Sequence, residues 1–207
     1  FFGGFRYGPM AIMGSAVGQH AHFIGGISDS DPIEFEINGE ESECILWMKA
    51  ADVLLVGTNV GVWMVHGGDG PITPSTIQAT QTARFGSGFV PPTTVGDTLV
   101  MLQSQKGAIR EFSMYQRDIA FAVNLVGRAG HLFEAGIKQL EYQADPEPTL
   151  WALTKDGKIR GMVYDKANQV TPWKPYELPG FVEKIMVAPA GDREYLFAVV
   201  RIWMYPY

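Results

Sequence analysis

Short apolar runs, each closed by a turn bearing glycine, proline or aspartate, recur along the chain. Asp52-Val-Leu-Leu-Val-Gly-Thr-Asn-Val-Gly-Val-Trp-Met-Val65 carries two such runs about Thr58-Asn59-Val60-Gly61 and predicts a buried β-hairpin. Similar hairpins are predicted over 99–112 and 150–164, each with a glycine at its turn. Asp156-Gly157 is the clearest of these turns, because glycine accepts the positive φ that a two-residue turn requires. In the first hairpin, Gly57 and Gly61 are read as turn residues.

Four segments can be written over one another. Each opens on a mostly apolar run: Cys44–Met48, Val90–Val95, Ile137–Tyr142 and Val182–Val187. Each then turns through a link bearing Asp or Pro, at 49–52, 96–97, 144–148 and 189–192, and enters a second, more apolar strand. Aligning Leu55, Met101, Trp151 and Phe197 gives spacings of 46 (101 − 55), 50 (151 − 101) and 46 (197 − 151). Third strands follow at 61–65, 108–113, 159–164 and 201–204. Outer strands are expected at 76–82, which alternates, and at 170–176, whose prolines only an edge tolerates.

A repeat of about 46–50 residues with several strands per unit is what a β-propeller or comparable array shows. A four-stranded blade has two apolar faces that it cannot bury alone, so blades pack face to face around an axis. The expected fold is therefore all-β, a propeller-like array of four-stranded blades over 41–207 with the last blade truncated. Residues 1–40 form an irregular N-terminal β segment. Within it, residues 1–26 lack a sustained period, and Ile33-Glu-Phe-Glu-Ile37 reads as a half-exposed strand. A short helix or helical turn is placed between Asn124 and Gly136.

Composition supports strands. Twelve phenylalanines, eight tyrosines and five tryptophans beside 24 glycines and 13 prolines suit many short strands with tight turns better than helices. The formal charge of −6 disfavours a surface that grips nucleic acid, which needs clustered Lys and Arg, but leaves open a conduit through which DNA passes without adhering. Cys44 is the single cysteine, so no intrachain disulfide forms, and its apolar flank predicts a buried structural thiol. No apolar run approaches the ~18 residues of a membrane-spanning helix. Both ends of the sequence read as cut, as expected of part of a longer chain.

Candidate chemistry is sparse, and no catalytic, cofactor-binding or metal-ligating residues are assigned. His20 and His22 would share one face of a strand but lack a third ligand at metal-binding spacing. Asp29 and Asp31 lack the later Gly and bidentate Glu of a calcium loop and fit turn chemistry. Gly57, Gly61, Gly67, Gly68 and Gly70 fall between strands, not before a helix, which leaves a nucleotide fingerprint unsupported. Asp52, Asp97, Asp145 and Asp192 recur at equivalent links, the best enzyme-like signal, but read better as ordinary turn residues that a repeat copies. Arg84, Arg110, Arg117 and Arg128 could form a basic patch or serve at interfaces. His66 and His131 are isolated, and Trp63 is assigned to packing between blades.

Taken in order, Leu54–Trp63, Thr82–Ser87, Val95–Val100, Gly107–Ser113, His131–Phe133, Gly136-Ile137 and Leu150–Gly157 resemble the tail nozzle proteins of short-tailed bacteriophages, also called tail tubular protein B or stabilisation proteins. The likeness covers about residues 27–200, and Asp31-Pro-Ile-Glu-Phe35 fits the segment those proteins place before their first blade. The resemblance implies a non-enzymatic virion component with no cofactor, assembled in the host cytoplasm and located at the distal end of the tail. It implies a homo-oligomeric ring, usually six-fold, that meets the adaptor and portal side, contacts tail fibres and leaves an axial channel for the genome. A carbohydrate-binding or carbohydrate-active propeller, with the link aspartates and Trp63, Trp151 and Trp173 lining an axial pocket, is the contrasting expectation.

Overall fold

The structure, a computed structural model, describes residues 1–50, 53–96, 98–104, 107–115, 118–164 and 172–203, with the backbone alone over 113–115 and 118–122. It is all-β, with several four-stranded antiparallel sheets. The chain divides into two compact units, Phe1–Phe89 and Val90–Tyr207. The expected boundary at 40/41 falls inside the first.

In the first unit, β1 (Phe2–Phe5), β2 (Gly8–Gly14) and β3 (Ile33–Glu36) form a three-stranded sheet in that order. The segment read as irregular holds a hairpin whose register shifts between Gly3 and Phe5, then turns and irregular chain over 15–32, then the expected strand. Met10 and Ile12 are buried while Ala11 and Met13 are half-exposed. The period of two is present but hidden, because apolar residues occupy both faces. His20 and His22 lie in the turns and irregular chain between β2 and β3, not on a strand, and both are exposed.

β4 (Ile45–Ala50), β5 (Leu54–Thr58), β6 (Val62–His66) and β7 (Gln78–Ala83) follow as a four-stranded meander. Leu54, Val56 and Val65 face the first sheet and share a core with Met10, Ile12 and Ile37. The other face is buried too, through Leu55, Val62 and Met64. Gly57 is not a turn residue. It sits inside β5, directly opposite Trp47 of β4, whose indole covers it: a Cβ at 57 would lie 2.0 Å from Trp47 Cε2.

The second unit opens with β8 (Thr93–Val95), β9 (Thr98–Leu102), β10 (Ile109–Tyr115) and β11 (Asp118–Asn124), again a meander. A 3-10 helix, Gly127–Phe133, occupies the place expected for a helical turn. The next meander is β12 (Ile137–Gln143), β13 (Thr149–Thr154), β14 (Ile159–Val163) and β15 (Trp173–Tyr176), and a two-stranded sheet of β16 (Phe181–Ala190) and β17 (Arg193–Arg201) ends the series. Arg201 closes β17 as the last residue of one nine-residue strand, so it does not begin a third strand; Met204 lies outside the described residues. Leu55, Met101, Trp151 and Phe197 all fall on the second strand of their sheets.

Sheet β12–β15 is sandwiched. Leu150, Ala152 and Met162 pack with Val100, Leu102 and Ile109 of the preceding sheet. On the opposite face, Trp151, Leu153 and Ile159 pack with Val182 and Ile185 of the following one. The residues of β13 therefore read as an unbroken buried run, since alternate side chains enter different cores. Phe133 of the 3-10 helix meets Trp173 edge to face at 4.9 Å, and the Trp173 indole N–H donates to the Leu125 carbonyl at 2.8 Å.

The three sheets of this unit approach one another along their first strands: β12 lies against β8 on one side and against β16 on the other. The Gln139 side chain bridges the second gap. Its amide nitrogen donates to the Ile185 carbonyl (2.6 Å) and its oxygen accepts the Ile185 N–H (3.2 Å), as a neighbouring strand would. Lys138 donates to the Glu183 carbonyl at 2.7 Å, and the Glu194 carboxylate accepts the Ala144 N–H at 2.6 Å.

The β13–β14 connection runs through residues 155–158, longer than the two-residue turn expected, with Gly157 at φ 75°. Thr154 donates to Asp156 at 2.5 Å. That hydroxyl, more than any other group, holds the Asp156 carboxyl below the usual aspartate range; partial burial opposes it and the Lys158 ammonium adds a smaller downward pull. A carboxyl whose folded pKa is depressed stabilises the fold above its unfolded pKa and loses that contribution as pH falls through the folded value. The stability gap between the wild type and Asp156→Asn is therefore expected to be widest near neutrality and to close below about pH 4, read from urea midpoints across pH. A gap independent of pH would exclude this assignment.

Candidate functional site

The most densely bonded polar group described in the first unit lies at the end of the β5–β6 hairpin. The turn Thr58–Gly61 closes on itself, with the Thr58 N–H donating to the Gly61 carbonyl and the Gly61 N–H to the Thr58 hydroxyl, each at 2.8 Å. Glu43, from the loop before β4, reaches this turn with 1% of its surface exposed. One carboxylate oxygen accepts the Thr58 hydroxyl and, at 2.7 Å, the Trp63 indole N–H. The other accepts the Glu40 N–H at 3.1 Å. Asn59 adds a second tie, accepting the Cys44 N–H at 2.7 Å and donating to the Ser42 carbonyl at 2.8 Å. A carboxylate so placed is tolerated because hydrogen bonds from three donors replace its hydration.

Beside this network is a concavity of about 430 Å³, floored by Pro9, Met10 and Ile37 and edged by Glu36, Glu40 and Glu41. Gly39 closes one side, and a Cβ there would fall 2.4 Å from a Glu43 carboxylate oxygen. The lining is acidic and carries no side-chain cation.

Of the link aspartates, neither Asp145 nor Asp192 lines this concavity. Asp145 and Asp192 are exposed in connections following β12 and β16, while Asp52 and Asp97 lie outside the described residues. Arg84 and Arg128 are exposed, Arg110 donates to Gln103 at 2.9 Å, and Arg117 lies outside the described residues. His66 ends β6, where its ring meets Thr80 at 3.3 Å and accepts the Gly68 N–H at 3.1 Å; His131 is exposed on the 3-10 helix. Asp31 accepts the Ser28 N–H at 2.8 Å, in keeping with turn chemistry, whereas Asp29 accepts the Ser75 hydroxyl at 3.0 Å from a distant part of the chain. Cys44 is half-buried, less enclosed than expected.

Trp63 belongs to the core between the first two sheets. Trp151 is buried, and its indole N–H donates to Gln143 at 3.0 Å. Among the described residues, two buried charges carry no sequence signal. Glu43 sits in Glu40-Glu-Ser-Glu43, which has the composition of a solvated loop, and Arg160, 7% exposed, donates to the Ile159 carbonyl at 3.1 Å. Neither position carries a sequence signal that separates it from an exposed one.

Among the described residues, no group of three or more His, Cys, Asp or Glu is arranged to hold a metal ion, and no helix is long and apolar enough to cross a membrane. Fold and site together define an all-β protein with several four-stranded antiparallel sheets and an acidic concavity on its first unit. No protein-family model matches the chain, and no curated protein matches it.

Proposed function

We propose that the protein is a structural virion component, a tail nozzle subunit of a short-tailed phage, whose blade-like sheets build a ring around an axial channel for genome ejection. The observation that carries this reading is the sandwiching of sheet β12–β15 between its neighbours, with β8, β12 and β16 side by side. Sheets that stack face to face and draw together along their first strands are arranged as propeller blades are about an axis. The motifs that resemble those of nozzle proteins fall on central strands and their turns, as at Leu54–Trp63 on β5–β6 and Leu150–Gly157 on β13 and its turn. An acidic chain suits a wall past which DNA must slide, because a wall rich in Lys and Arg would hold phosphate.

In this reading the partners are copies of the same chain, the adaptor and portal side of the tail, the tail fibres and the passing genome. The tryptophans needed by a carbohydrate-active propeller give that alternative no support: the indole N–H groups of Trp63, Trp151 and Trp173 are bound to Glu43, Gln143 and the Leu125 carbonyl. Electron micrographs of the purified full chain are expected to show closed rings with a central opening. A protein that remains monomeric over the micromolar range, with no ring in any field, would overturn the proposal.

A further inference from the structure

Among the described residues, the first and last sheets each carry a face with exposed apolar side chains, and the two faces carry opposite charge. On the β1–β3 sheet, Ile12 and Phe35 point into the core, so their neighbours Phe2, Ala11, Met13, Glu34 and Glu36 form the outer face. Phe2 meets Phe23 edge to face yet stays 59% exposed, and Glu34 and Glu36 are exposed. On the β16–β17 sheet, Ile185, Val187 and Leu196 pack inward, which turns Lys184, Met186, Tyr195, Phe197 and Val199 outward, with Arg193 at one end. Met186, Tyr195, Phe197 and Val199 are about half exposed or more, from 47% to 62%.

The charged groups that are already compensated can be set aside. Glu183, at the β16 irregularity, pairs with Lys138 and Arg201, and Glu194 is bound to the β12–β13 connection. Lys184 and Arg193 on one face, and Glu34 and Glu36 on the other, have no ion pair among the described residues. Each face thus combines apolar area with unpaired charge of a single sign. Glu36 also edges the acidic concavity, which extends the negative field beyond the sheet.

We propose that the outer face of the β16–β17 sheet of one copy docks on the outer face of the β1–β3 sheet of a second copy, head to tail. This rests on the ring reading for its stoichiometry but not for its surfaces. Apolar area supplies the attraction, and opposite charge selects the heterologous pairing over face-to-self contact, which would oppose like charges. A head-to-tail contact of this kind closes into a ring when its rotation divides a full turn.

Two double variants of the full chain test it, Lys184→Glu with Arg193→Glu and Glu34→Lys with Glu36→Lys. The first makes both faces acidic and the second makes both basic, so each variant alone is expected to raise the concentration for half-assembly by about tenfold or more, read by analytical ultracentrifugation. An equimolar mixture restores complementarity at every contact and is expected to assemble as the wild type does, which also shows that both variants are folded. Variants that assemble normally alone, or a mixture that fails to recover, would overturn the docking mode while leaving a wild-type ring intact. A wild type that never assembles would overturn both this contact and the ring.

Discussion

Glu43→Ala is expected to destabilise the first unit by about 3–5 kcal/mol, the largest effect of any single substitution considered. The Thr58 hydroxyl, the Trp63 indole and the Glu40 N–H would all lose their acceptor. Leaving each buried donor unsatisfied costs about 1–3 kcal/mol, and truncating an almost fully buried side chain adds a cavity. Glu43→Gln separates the contributions. Its oxygen can still receive Thr58 and Trp63, while its amide nitrogen would oppose the Glu40 N–H, so about half the loss is expected. Urea midpoints at constant m report both variants. A loss below about 1 kcal/mol for the alanine variant would mean that water fills the place of the carboxylate and that the network does not hold the loop.

The second large effect is expected at Gly57. Alanine there would place a methyl group 2.0 Å from Trp47 Cε2, and Trp47, only 6% exposed, has no free side toward which to turn. Overpacking of this kind costs about 1–3 kcal/mol and sometimes more, and the upper end is expected here. Gly161→Ala repeats the geometry in the second unit: the new methyl group would approach Trp151 Cζ3 at 2.6 Å and Tyr176 Cε2 at 2.8 Å. The decisive measurement is a double-mutant cycle. If the tryptophan is the obstacle, Gly57→Ala should cost far less in a Trp47→Leu background than alone, and additive effects would refute the assignment.

The elements most legible in the sequence were the central strands, and the reason is their burial. Leu54–Thr58, Thr98–Leu102 and Thr149–Thr154 are buried along their whole length, so their apolar runs stand out without any need to judge which face is which. The link from β12 to β13 was marked by Asp and Pro, residues whose backbone preferences act locally, and the helical turn before β12 by Leu125, Val126, Leu132 and Phe133 between Asn124 and Gly136. The hairpin of β1 and β2 was not legible, because Ala11 and Met13 are apolar residues on an outward face and erase the alternation that a polar residue would have preserved.

Glycine misled for a related reason. Gly57 next to Thr58-Asn59 looks like part of a turn, and only the partner strand reveals that the missing side chain makes room for an indole ten residues earlier in the chain. Glu43 was hidden in the opposite way. Its three donors come from Glu40, Thr58 and Trp63, and two of these are brought to it by the fold of β5 and β6, so a reading along the chain sees only another glutamate in an acidic loop.

The two tryptophan–glycine pairs, Trp47 with Gly57 and Trp151 with Gly161, also constrain how this chain can diverge. In each, the ring occupies the volume that a side chain on the facing residue would need, so neither partner is neutral while the other is kept. Loss of the tryptophan first would open a void that a later side chain at the glycine could fill; gain of the side chain first would meet the ring. Descendant sequences should therefore change these positions in that order or not at all, and the two columns of each pair should vary together.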